Sequence, residues 1–141
     1  MRSSPPSVST WDRLQWALFT LRRDLRQYEA APRPLTADRL RASLVPALRH
    51  PVFVVGAPRS GTSFLGRCLG VLPELSYHFE PAATQRAAQY VYAGRWSFAR
   101  ARRFYRAVYR WLLRIHLDGD VRYADKSPRN CFLMGFLYRA F

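Results

Sequence analysis

Lysine is all but missing from this chain: of its 23 basic residues, 22 are arginine, and the one lysine is Lys126. Acid is scarce too, with nine Asp and Glu in 141 residues, so the net charge is +14 and the pI about 11.1. That imbalance points to anionic partners such as nucleotides, phosphate or sulfate groups, nucleic acid or an acidic membrane surface. The preference for arginine over lysine reads by itself as codon usage in a GC-rich genome. The two cysteines, Cys68 and Cys131, are too few and too far apart for a metal cluster or a disulfide framework, and read as buried thiols in a reducing compartment. No run of about 18 apolar residues predicts a membrane span, and the start "MRSSPPSVST" is polar and Pro/Ser-rich, a disordered tail rather than a secretory leader. The expected location is therefore cytoplasmic. No internal repeat is seen. With 49% hydrophobic and 15% aromatic residues, the chain has the material for one globular domain.

Periodicity divides the chain into residues 1–50, a tail followed by helices, and residues 51–141, which alternate strand and helix. Trp11, Leu14, Leu18, Leu21, Leu25 and Tyr28 recur at three- and four-residue steps and predict an amphipathic helix from Thr10 to Tyr28. Trp16 and Phe19 lie off that face and read as packing under a neighbouring segment or meeting a partner. Thr36 caps a short helix running to Leu48. The all-apolar "VFVV" at 52–55 reads as a central strand of a parallel sheet, buried on both faces. A helix follows from Gly61, with Leu65, Cys68, Leu69 and Leu72 turned to the sheet. "LSYHF" at 75–79 predicts a second strand, and "VRYA" at 121–124 a third. Between them Phe98–Ile115 predicts a long helix with apolar stripe Phe98, Ala101, Tyr105, Val108, Leu112 and Ile115, opposite Arg103, Arg106, Arg110 and Arg114. That arginine face reads as solvated. Ser127 caps a last helix with Pro128 at its first position. The expected fold class is α/β, a parallel sheet flanked by helices.

The segment "PVFVVGAPRSGTSFLGR", 51–67, carries the chemistry. Gly56, four residues, Gly61, then Thr62 and Ser63 has the spacing of a phosphate-binding P-loop. Glycines there let the backbone turn tightly and approach a phosphate. The N–H groups at the following helix start, with the helix dipole, favour an anion. A nucleoside-triphosphate site carries Lys where Thr62 stands, to reach the β- and γ-phosphates. Without it, and with Arg59 inside the turn, a less charged, metal-free ligand fits better.

"VVGAPRSGTSFL" resembles the 5′-phosphosulfate loop of sulfotransferases that use 3′-phosphoadenosine 5′-phosphosulfate (PAPS). "YHFEPA" and "YADKSPRN" are similar to two further segments of that family, the second with Asp125 in place of the usual Glu. The resemblance covers 51–82 and 123–138 well and the first 50 residues poorly. It implies a P-loop-type sheet, PAPS as co-substrate held by Pro58, Arg59, Ser60, Gly61, Thr62 and Ser63, and no metal. It also implies catalytic roles for Arg59 at the bridging oxygen or sulfuryl group, for Glu80 as general base, and for Lys126 at the sulfuryl group or acceptor. Read without the resemblance, Glu80 before Pro81 is a solvated turn residue and Lys126 a surface lysine at a helix start. Phe64 stands where some members stack a Trp on adenine, but core packing is its more ordinary use. Arg129 reads as a solvated side chain, and His50, His78 and His116 form no cluster with an assignable role.

Family members continue into a strand whose Arg, with a nearby Ser, binds the 3′ phosphate, and the sequence has no such segment after Phe141. The expectation is thus the N-terminal half of a sulfotransferase, incomplete at the C-terminus and inactive alone, with exposed sheet edges. Its acceptor would be a hydroxyl or amine on a carbohydrate, lipid, peptide or small molecule. Nucleic acid is not an expected partner, membrane-surface contact stays open, and the oligomeric state is unassigned. Two rivals stand beside this reading: a P-loop nucleotide kinase or NTPase fragment, and a non-catalytic basic binding module.

Overall fold

Three parallel strands form the sheet, in the order β1 (Val52–Val54), β3 (Arg122–Lys126), β2 (Leu75–Phe79). The computed structural model describes residues 10–26, 28–57 and 59–141, the side chains of 10–14, 16 and 17 excepted. Helices α1 (Thr10–Arg26) and α2 (Ala37–Leu44) precede β1. α3 (Thr62–Gly70) joins β1 to β2, and α4 (Ala82–Tyr92) and α5 (Phe98–Ile115) join β2 to β3. A 3-10 segment, Pro128–Leu133, and α6 (Met134–Ala140) follow.

The strand order corrects one expectation. "VFVV" reads as a central strand, yet β1 lies at an edge and β3 is in the middle. The reason is that both faces of β1 are covered all the same. Phe53 packs into the cluster of α5 and α6 around Tyr109 and Phe136, while Val52 packs with Leu75, Tyr77 and Ala124 on the α3 side. A sandwiched edge strand thus carries the same all-apolar signature as a central one.

α3 meets the sheet differently from its leucine pattern. Leu65, Cys68 and Leu72 are exposed, as is Phe64, and Gly66 and Gly70 are buried beside Leu69. Tyr77 explains this. A Cβ at Gly66 would stand 1.9 Å from the Tyr77 hydroxyl oxygen, and one at Gly70 2.3 Å from the Glu29 carbonyl oxygen. The two glycines, four residues apart, let α3 lie directly on the tyrosine ring. Cys68 is accordingly no buried thiol, and Cys131 is half-buried with its Sγ 2.8 Å from the Pro128 carbonyl oxygen.

The opposite face is covered by α4, α5 and α6. The α5 stripe is buried at Ala101, Tyr105 and Leu112 and half-buried at Val108 and Ile115, but its first residue, Phe98, is exposed. Ser97 caps it by accepting from the Arg100 backbone N–H at 3.3 Å. α2 starts at Thr36, which accepts from the Arg39 N–H at 3.2 Å, and ends at Leu44 rather than Leu48. Pro46 disfavours helix at Val45 and stops it there. Pro128 opens a 3-10 segment instead of an α-helix, with no side-chain cap from Ser127.

The α1 stripe is also corrected. Leu18 and Leu25 are exposed, as is Phe19, while Asp24 is buried. Trp11, Leu14 and Trp16 lie outside the described side chains. Tyr28 falls past the helix end and forms an antiparallel bridge with His78. Together with the Glu29 N–H donating to the Tyr77 carbonyl, it covers the β2 edge, while the Ala31 N–H donates to the Gly70 carbonyl at the end of α3. Buried Asp118 ties this segment down: it accepts from Tyr28 at 2.5 Å, Arg39 at 2.8 Å and Arg33 at 3.4 Å. Among the described residues no helix is long and apolar enough to cross a membrane.

Candidate functional site

The strand register fixes the site. Val54 and Phe79 both pair with Lys126, so the carboxyl ends of the three strands finish at one level. The loop after β1, Glu80 after β2, and Lys126 at the end of β3 therefore emerge on the same rim, where open parallel sheets bind ligands.

The loop closes on itself before α3. The Ser60 N–H and hydroxyl both donate to the Ala57 carbonyl, at 3.2 and 2.7 Å. Arg59 has φ +68° and Gly61 φ +80°, both left-handed. A Cβ at Gly56 would stand 2.6 Å from Thr62 Cγ2 and 2.8 Å from Ser60 Oγ, so a larger residue beneath the turn would force these side chains to shift. No side chain caps α3, which leaves its first-turn N–H groups to other partners. Arg59 is exposed and pairs with no acidic side chain among the described residues. Pro58 lies outside the described residues.

Glu80 and Lys126 meet directly, 46 residues apart in sequence. Lys126 Nζ donates to Glu80 Oε1 at 2.7 Å, and the Glu80 backbone N–H donates to the Lys126 carbonyl at 2.9 Å. The lysine side chain is 6% exposed and the glutamate 21%, so the pair opens to solvent on the carboxylate side. The ammonium also stands 4.7 Å from the centre of the Phe79 ring, a cation–π contact. Gln85 Nε2 donates to the second carboxylate oxygen at 3.3 Å. Glu80 is held at φ +48°, an uncommon conformation for a residue with a side chain. Of four such non-glycine residues among those described, Arg59 and Glu80 are two. Backbone strain of this kind persists where surrounding structure imposes it, and it clusters at functional positions.

Supports behind the pair come from distant segments. Asp24 on α1 accepts from the Ala82 N–H at 2.7 Å, capping α4 two residues after Glu80. Burial pushes the Asp24 carboxyl above its ordinary range, opposed by that hydrogen bond. Asp125, at the position of the resembled family's Glu, points to the other face of β3. It is fully buried and accepts from Asn130 at 2.7 Å and Tyr123 at 3.1 Å. Desolvation raises its carboxyl to about 7, against those hydrogen bonds. Its bond to Asn130 fixes the 3-10 segment that follows Lys126.

Three features escape a reading of the sequence. Gln85 has no motif, and only its placement one helical turn into α4 brings it to Glu80. Arg129 is exposed as expected, but its Nη1 donates to the Gln85 backbone carbonyl. His78 and His116 do cluster: their ring centres are 5.4 Å apart, and Tyr28 stacks on His116 at 3.9 Å. Burial first, then the His116 charge, pushes His78 well below its ordinary range, and burial lowers His116 as well.

Compared with models of known families, with curated proteins and with solved structures, the chain matches none of them.

Proposed function

We propose that this chain belongs to the P-loop-type, PAPS-dependent sulfotransferases and acts at the rim formed by Arg59, Glu80 and Lys126. The observation that carries the reading is the direct Lys126–Glu80 pair at the carboxyl end of the sheet, level with a strand–loop–helix turn closely packed at Gly56. The pair's open carboxylate side can accept a proton and its ammonium can meet an anion.

The residues present suit the 5′-phosphate end of the nucleotide. The uncapped start of α3 at Gly61, Thr62 and Ser63, and the guanidinium of Arg59, suit a 5′ phosphate. PAPS supplies an activated sulfuryl group. Glu80 takes the proton of the acceptor hydroxyl or amine. Lys126, held against Phe79, moves its positive charge between the carboxylate and the sulfuryl oxygens, and Arg59 stabilises charge developing on the leaving oxygen. Ser60 contributes its backbone, its hydroxyl being committed to Ala57. Thr62 stands where a triphosphate site has Lys, which disfavours the kinase or NTPase reading.

Calorimetry tests this. In EDTA the chain completed by a 3′-phosphate-binding half should bind 3′-phosphoadenosine 5′-phosphate, and more tightly than it binds ATP with magnesium. The reverse preference would sink the sulfotransferase reading.

A further inference from the structure

A cleft of about 310 Å³ lies between α4 and the 3-10 segment, lined by Ala88, Gln89, Tyr92, Arg129 and Phe132. Its size is at the lower end of small-molecule sites. On α4, residues 85, 88, 89 and 92 fall on one face, because steps of three and four return to the same side of a helix. Gln85 therefore stands one turn beyond the cleft on the same face; its carbonyl accepts from Arg129 and its side chain donates to Glu80 Oε2. Through Gln85 the cleft wall at Arg129 is joined to the Glu80–Lys126 pair.

Its walls are aromatic. Tyr92 and Phe132 are 70% and 66% exposed, with ring centres 5.7 Å apart at 64°. Two large rings left open to solvent side by side mark a surface made for an apolar or planar partner. Its polar group is cationic. Arg129 is anchored through Nη1 to the Gln85 carbonyl, and no acidic side chain pairs with it among the described residues. The other edge of its guanidinium suits a carboxylate.

We propose that this cleft takes the acceptor and that the acceptor is a hydroxylated aromatic carboxylate. Its ring lies against Tyr92 and Phe132, its carboxylate on Arg129, and its hydroxyl towards Glu80. The assignment rests on the sulfuryl-transfer reading. In the transfer, the acceptor O–H bond breaks and its proton goes to a Glu80 carboxylate oxygen. The acceptor oxygen forms a bond to sulfur, and the bond from sulfur to the 5′-phosphate oxygen breaks with its electron pair. The products are the aryl sulfate, 3′-phosphoadenosine 5′-phosphate and protonated Glu80.

The test is a fluorescence titration of the chain, without nucleotide, using 6-hydroxy-2-naphthoate and the uncharged 2-naphthol as probes. The naphthoate should bind one-to-one and about tenfold more tightly, as one charge-assisted contact provides. Arg129→Gln should abolish that preference, and Phe132→Ala should weaken both probes several-fold. Both side chains are exposed, so circular dichroism should show both variants folded; Arg129→Lys, which keeps the charge, should retain part of the preference. Equal binding of the two probes, no saturable binding, or indifference to Arg129→Gln overturns the proposal. Bisphosphate binding without naphthoate binding removes the acceptor assignment and leaves the transfer reading standing. Naphthoate binding without bisphosphate binding overturns the acceptor role.

Discussion

Lys126 Nζ stands 2.7 Å from Glu80 Oε1 and 4.7 Å from the centre of the Phe79 ring, so the chain's single lysine is held between a carboxylate and an aromatic face. The compact ammonium makes both contacts at once.

The pair should be coupled in stability and in chemistry. Lys126→Met leaves Glu80 without its buried partner, and a double-mutant cycle with Glu80→Gln should give about 1–3 kcal/mol of coupling by urea denaturation. In a sulfuryl-transfer assay of the chain completed by a 3′-phosphate-binding half, Glu80→Gln should lower turnover by about 10²–10⁴ while bisphosphate affinity changes only a few-fold. Near-normal turnover at every pH would make Glu80 a turn residue.

The loop depends on Gly56. Gly56→Ala would press a methyl into Thr62 Cγ2 at 2.6 Å and displace the turn. Bisphosphate binding by calorimetry should weaken by about tenfold, the effect of losing one charge-assisted hydrogen bond. The melting temperature should fall little, because the loop is exposed. Unchanged affinity would remove the loop from the binding site.

The seat of α3 on the sheet is set by Gly66 and Tyr77. Gly66→Ala should cost about 1–3 kcal/mol through overpacking, since its Cβ would stand 1.9 Å from the Tyr77 hydroxyl oxygen. That hydroxyl is buried without a hydrogen-bond partner. Tyr77→Phe alone should therefore be neutral or slightly stabilising, and it should recover part of the loss in the double variant. Thermal melts of the four proteins are enough to decide.

Stability should respond to pH through two opposed groups. Asp125 rises from 3.8 to about 7 on folding. Its contribution is fully present below about pH 4 and is lost as pH rises through 7, on the order of 4 kcal/mol at most. His78 and His116 are lowered from 6.5. They favour the fold above that pH and lose their contribution as pH falls below it. Denaturation from pH 4 to 8 should show Asp125→Asn with a steeper gain in stability on going from acid to neutral than the parent. His78→Gln should show a shallower one. If both variants kept the parent's profile, neither buried group would titrate in the way its surroundings imply.

Several elements were written locally. Ser97 and the apolar stripe of α5 specify that helix, and Thr36 specifies the start of α2, because caps and periodicity act within one or two turns. The order strand, loop, helix around "VVGAPRSGTS" also follows from residues that touch each other along the chain. So do the positions of Arg59, Glu80 and Lys126 at strand ends, once β1, β2 and β3 are assigned.

What tertiary structure alone decided is which of these ends meet. Sheet order puts β3 between β1 and β2, and only then does Lys126 reach Glu80 across 46 residues. The seating of α3 on glycines rather than leucines depended on the Tyr77 ring, which no periodicity within α3 can announce. Asp125 and Lys126 are neighbours in sequence but face opposite sides of the strand, one buried among tyrosines and the other at the rim. His78 and His116 likewise became a pair only when β2 and the end of α5 packed together around Tyr28. Local pattern sets each element and its caps, whereas contacts between elements depend on the energy of packing the whole sheet, which no short stretch of sequence contains.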